Sequence, residues 1–226
     1  MSATDPTFLD QLAYLGGNIS GNAAAAKIEY QDIEEFVISA TLHMSDDVRV
    51  THCFLSWLSF YGSLLSPSKI RRLLKEKPFD PSVFGAFLAL LENHSLRKNQ
   101  WSILEPFTKR TQNQLLFPDL PKPKGPLNPY FNKFGIIAHL LKADPKKFLI
   151  DSSFVLNECP EIKFRASDLD PVPADLQAFL KKQTPKTLYE VAKATHHFRA
   201  QIYSHYRYLS HFGICDGSLL PKRNVV

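Results

Sequence analysis

Residues 187–214 read TLYEVAKATHHFRAQIYSHYRYLSHFGI, and the reading of the whole chain turns on this stretch. Leu188, Val191, Ala192 and Ala194 are the apolar positions of a first helix. Ile202, Tyr206 and Leu209 are those of a second, where 100° per residue gathers them on one side. Thr195 to Phe198 is the break between the two. The opposite side of the second helix is Ala200, Gln201, Ser204, Arg207 and Tyr208, with Arg199 at its N-terminal edge. That side is small, polar and cationic. A helix that enters the major groove needs these properties, because short side chains let the backbone approach and Arg or Gln can bond base edges in a bidentate way.

At these residues the segment resembles the winged helix-turn-helix of bacterial transcription regulators. Leu188, Glu190, Val191, Ala192 and Ala194-Thr195 match the first helix of that pattern. Arg199, Ile202, Tyr203, His205 and Leu209 match the recognition helix, and Phe212-Gly213-Ile214 matches the exit to the wing. Asp216-Gly217 is a hairpin-type turn dipeptide. Two positions depart from the pattern: the glycine usual in the turn is His196, and the aliphatic residue after it is His197. The turn is therefore expected to be longer or differently bent. The resemblance implies DNA contacts to bases from Arg199, Gln201 and Ser204. It implies phosphate contacts from Lys193, Arg207, Tyr208, Lys222 and Arg223.

The charge distribution agrees with an anionic partner. The chain of 226 residues has a formal charge of +5. Residues 1–47 contribute −7, residues 48–180 contribute +6 and residues 181–226 a further +6. A basic body favours nucleic acid. The acidic head reads as a solvated tail, with a partner-binding segment or a mask over the basic surface as the alternatives.

The expected fold class is mainly α, in two small helical modules, the C-terminal one a winged helix-turn-helix with minor β. Residues 1–26 read as loosely ordered, although Phe8, Leu9, Leu12 and Leu15 fit a short amphipathic helix. Residues 27–105 read as a helical module that forms a core or a homodimer face, with Trp57, Phe60, Phe84 and Phe87 as its large side chains. Asp47, Ser66-Pro67 and Asp80-Pro81 are helix-start signals within it. Ser66 to Asn93 has the spacing of another helix-turn-helix. Its second helix carries no cation on the side away from Val83, Phe84, Phe87, Leu90 and Leu91, so it is expected to pack rather than to face phosphate. Residues 106–130 contain six prolines and read as an extended linker. Residues 131–226 form the winged-helix module, with a helix from Phe131 to Leu141 and short strands at Phe148–Ile150 and Glu161–Phe164.

Several classes are set aside. No apolar run approaches the ~18–20 residues that cross a bilayer, so no membrane partner is expected. The first ten residues lack the basic start and apolar core of a secretory leader. Cys53, Cys159 and Cys215 have no metal spacing, which points to a reduced cytoplasmic chain. His196, His197, His205, His211 and Cys215 cluster in sequence, but read as DNA-facing or packing residues rather than a zinc site. The expected protein is a non-enzymatic binder of double-stranded DNA, without cofactor or metal. A non-catalytic assembly subunit, whose winged helix binds protein, is the alternative. Third is a Mg²⁺-dependent nuclease of the PD-(D/E)xK type, from the order Asp119, Glu161, Lys163.

Overall fold

A computed structural model describes residues 6–19, 29–94, 98–139, 144–167 and 170–220. The protein is mainly helical and divides into two compact units. Unit 1 is built from residues up to 28 and from 33–155. Unit 2 is built from 29–32 and 156–226.

In unit 1 the helices are α1 (Pro6–Tyr14), α2 (Ile33–Ala40), α3 (Val48–Tyr61), α4 (Pro67–Leu73) and α5 (Pro81–His94). The start signals work as read. The Asp47 carboxylate accepts from the backbone N–H groups of Arg49 (2.6 Å) and Val50 (3.2 Å) at the start of α3. Ser66 Oγ accepts from Lys69 N at 3.4 Å, and Asp80 Oδ1 accepts from Ser82 and Val83 N at 2.8 and 3.0 Å. Each cap satisfies otherwise orphaned helix donors and contributes ~1 kcal/mol.

The core of unit 1 is aromatic. Phe36 meets Trp57 edge-on at 5.4 Å, and Phe54 packs against Phe87 at 4.8 Å with the planes tilted by 38°. Each such ring contributes roughly 1.5–3 kcal/mol through burial. Trp57, Phe84 and Phe87 lie in this core and Phe60 alone of the expected four is half exposed. Helix α5 is buried from Ser82 to Leu91 on every side, as its cation-free sequence predicts. Gly85 lets Phe134 come so close that a Cβ would sit 2.4 Å from the ring.

The acids from Glu34 to Asp47 are not on a solvated tail, whereas Asp10 and Glu29 are exposed and Asp5 lies outside the described residues. Glu34 is fully buried, pairs with Lys69 at 3.2 Å and accepts from Ser66 N. Glu35 pairs with Lys77, Asp46 lies 3.3 Å from His43 Nδ1, and Asp47 is a cap. The reason is compositional: helix starts and buried lysines need carboxylates. Helix α1 (Pro6–Tyr14) is the predicted short helix, with Leu12 buried in it, Leu15 buried just after it, and Trp57 Nε1 donating to Leu15 O at 2.9 Å.

The proline-rich stretch packs within unit 1 rather than crossing between modules. A 3-10 helix (Lys98–Phe107) leads into it, β1 (Gln114–Leu115) lies within it, and Leu116 and Phe117 are buried. Next come α6 (Pro129–Lys133), capped by Asn128, and β2 (Ile136–Ile137), parallel to β1 with Gln114 opposite Ile136. The helix expected to reach Leu141 stops early because Gly135 adopts φ +76 against Thr111 O. α7 (Pro145–Phe148) follows, and Leu149 forms one antiparallel bridge with Gly17 in place of the expected strand. The division between the units falls inside α8 (Ser152–Glu158).

Unit 2 holds α9 (Pro160–Ser167), α10 (Pro171–Lys182), α11 (Leu188–Ala194) and α12 (Arg199–His211). Glu161–Phe164, expected as a strand, is part of α9, because Pro160 opens that helix rather than breaking the chain. Lys222 and Arg223 lie outside the described residues. No helix among the described residues is long and apolar enough to cross a membrane.

Candidate nucleic-acid interface in unit 2

Three helices share one core. Val172, Leu176 and Phe179 of α10 meet Leu188, Val191 and Ala192 of α11 and Ile202, Tyr206 and Leu209 of α12. The apolar positions expected for the last two helices are therefore the buried ones, with Ala194 partly buried at the edge. Thr187 opens α11, its Oγ1 accepting from Glu190 N at 3.2 Å, while Glu190 accepts from Lys186 N at 2.8 Å. The pair is a capping arrangement that fixes where α11 begins.

The turn between α11 and α12 holds His196 and His197, the two positions at which the sequence departs from the winged-helix pattern. His196 has φ +52, the left-handed conformation that a glycine would adopt most easily. His197 N donates to Ala192 O at 3.1 Å and closes the turn. The His197 ring is buried, with Nε2 2.9 Å from Asp175 Oδ2. Asp175 also receives Arg165 in a bidentate pair, Nε at 2.6 Å and Nη2 at 2.9 Å. Thus α9, α10 and the turn are tied by one buried Arg165–Asp175–His197 network. Sequence reading missed it, although Asp175 carries a signal: it sits on the same stripe of α10 as Val172, Leu176 and Phe179, and a carboxylate there requires partners.

The segment Glu29–Asp32 completes the unit. Gln31 N donates to Glu161 Oε1 at 2.8 Å, Tyr30 packs on Phe179 at 5.5 Å, and Lys182 pairs with Glu161 at 3.3 Å. Glu161 is thereby buried inside an ion pair while Lys163, two residues on, is exposed. The two side chains of the expected nuclease tripeptide point to different surroundings on a helix, not toward one scissile group. The histidines separate as well: His197 is in the network, His205 lies 4.0 Å from Asp170, and His211 is exposed.

Arg199, Gln201, Ser204, Arg207 and Tyr208 of α12 and Lys193 of α11 are all exposed. Ion pairs of unit 2 engage Arg165, Lys182, His197 and His205, and among the described residues Arg199, Arg207 and Lys193 take part in none of these pairs and face outward. Helix α12 contains no acidic residue. Gln201 is half committed: its Oε1 accepts from Phe198 N at 3.3 Å, leaving its amide N–H groups as the outward donors. After α12 the chain turns at Gly213 (φ +70) and Gly217 (φ +71). Asp216 accepts from Ser218 N at 2.9 Å, and this N–H, with the Ser218 side chain, holds its carboxyl below the usual carboxylate range. Residues 212–220 contain no strand, so the expected hairpin of a wing is not formed among the described residues.

Unit 1 contains a cleft of about 1280 Å³, with Asp47, Arg49, His52, Asp119, Lys147 and Phe148 in its lining. Asp47 caps α3 there, and His52 stacks on Phe148 at 5.1 Å. No family model, curated protein or solved structure matches the chain.

Proposed function

We propose that unit 2 is a DNA-binding module with α12 as its recognition helix, and that the protein acts on double-stranded DNA as a transcription regulator in the cytoplasm. The observation that carries this reading is the outward side of α12: exposed Arg199 and Arg207 with small Ala200 and Ser204 between them, on a helix without an acid. In this reading Arg199, Gln201 and Ser204 contact base edges. Lys193, Arg207, Tyr208, Lys222 and Arg223 contact phosphates. The activity is binding without catalysis, and pairing of two copies through unit 1 would present two such helices to two half-sites.

A gel-shift series over salt concentration tests it. Neutralising about five phosphates predicts a log–log slope near −4. No retardation of duplex DNA at low salt refutes the proposal. That result would favour the assembly-subunit reading, which has its own support in the exposed Tyr189, Phe198, Phe212 and Ile214, each about 60% accessible.

A further inference from the structure

The outward side of α12 is not flat. Ser204, Arg207, Tyr208, Ser210 and His211 of the helix, with Leu220 from the segment after it, line a solvent-open hollow of about 490 Å³. Its lining offers a phenol ring, a guanidinium, an imidazole and two serine hydroxyls, and no carboxylate. The Tyr208 ring is braced by Phe212, with centroids 4.6 Å apart and planes tilted by 47°. Both rings are 60% accessible.

The faces of exposed rings gain little from the phosphates of an intact duplex, which the Tyr208 hydroxyl and not its ring would contact. They gain much from an unstacked base, which offers a π-face to a ring and donor and acceptor groups along its edge. Arginine and hydroxyl groups around one ring are the chemistry that reads such an edge.

We infer that this hollow receives an unpaired nucleobase, so that the module binds DNA with a bulged base more tightly than the perfect duplex. The inference rests on the DNA-binding reading of α12. Arg199 and Lys193 grip the flanking duplex, while Tyr208, held by Phe212, stacks on the extruded base.

The test is fluorescence anisotropy of the full chain with a labelled duplex and with the same duplex carrying one bulged thymine, at one fixed salt concentration. The bulged DNA is expected to bind about 5- to 150-fold tighter, the equivalent of the roughly 1–3 kcal/mol that stacking one base on an aromatic side chain supplies. Phe212→Leu is expected to shrink that preference several-fold and leave duplex affinity unchanged. Tyr208→Leu is expected to abolish the preference, and Tyr208→Phe, which keeps the ring, to retain it. Far-UV circular dichroism confirms that each variant is folded. Equal affinity for the two DNAs overturns the inference and leaves the DNA-binding reading standing. Binding to neither overturns both. A preference that survives Tyr208→Leu overturns the assignment to this hollow. A dimer in sedimentation that Tyr208→Leu dissolves also overturns it and assigns the rings to a second copy of the chain.

Discussion

Asp175→Asn is the most informative single change in unit 2. The substitution keeps the side chain's shape and removes its charge. Asp175, Arg165 and His197 have side-chain exposures of only 3%, 3% and 4%, so water cannot replace what is lost. The guanidinium of Arg165 would stay buried without its bidentate acceptor. Removing one member of a buried pair costs about 3–5 kcal/mol. One neighbour reduces this: the Asp32 carboxylate lies within 4.8 Å of Asp175, so neutralising Asp175 also relieves a like-charge contact. The expected cost is therefore near the lower end, about 3 kcal/mol. That is a large share of the roughly 5–15 kcal/mol that stabilises a domain. Urea denaturation followed by far-UV circular dichroism measures it, and with a slope of roughly 2 kcal/mol/M the midpoint should fall by about 1.5 M. The double variant Arg165→Met with Asp175→Asn should cost less than the sum of the singles, because no unpaired charge is left behind. A cost below about 1 kcal/mol for Asp175→Asn, or strict additivity in the cycle, would refute the reasoning.

Other outcomes follow from geometry already described. His196→Gly should be tolerated, while His196→Val should destabilise by more than about 1 kcal/mol, since a β-branched residue is strained at φ +52; thermal melts separate the two. Gly85→Ala should cost about 1–3 kcal/mol because the new Cβ meets the Phe134 ring; the same urea titration reads it. A thiol reagent near neutral pH should label Cys215 quickly and the other two slowly. Cys53 and Cys159 are fully buried, and burial pushes the Cys53 thiol up to about 12, so almost none of it is thiolate. Cys215→Ser should remove the fast phase. Arg199→Ala should weaken specific DNA binding, whereas Lys222→Ala should weaken all duplexes about equally.

The legible parts of the fold were those written in local chemistry. Asp47, Ser66 and Asp80 sit at helix starts because a side-chain acceptor there satisfies donors a few atoms away, and the same spacing that hides Ile202, Tyr206 and Leu209 can be counted along the chain. What stayed hidden depends on partners distant in sequence. The prolines of 106–130 read as a linker because proline favours extended chain, yet Leu116 and Phe117 found a core to enter. Glu34 read as part of an acidic tail because nothing local discloses Lys69 above it. In the candidate site, Arg199 and Arg207 were visible as cations on an exposed side. The link from His197 to Asp175 was not, because it joins a turn to a helix 22 positions earlier. His196 is the middle case: its φ of +52 is a conformation that glycine takes most easily, and the residue type does not disclose it.

The short stretch Glu29–Asp32 has a consequence for biosynthesis. Gln31 and the Glu161 that it binds are 130 residues apart. At about 5–20 residues per second, roughly 6 to 26 seconds of translation separate their emergence from the ribosome. Until then Tyr30 has no Phe179 to cover, and afterwards Phe179 depends on a tetrapeptide made long before. Unit 2 therefore cannot be finished by its own C-terminal sequence, and a fragment cut at α8 would be born with one edge of its core bare.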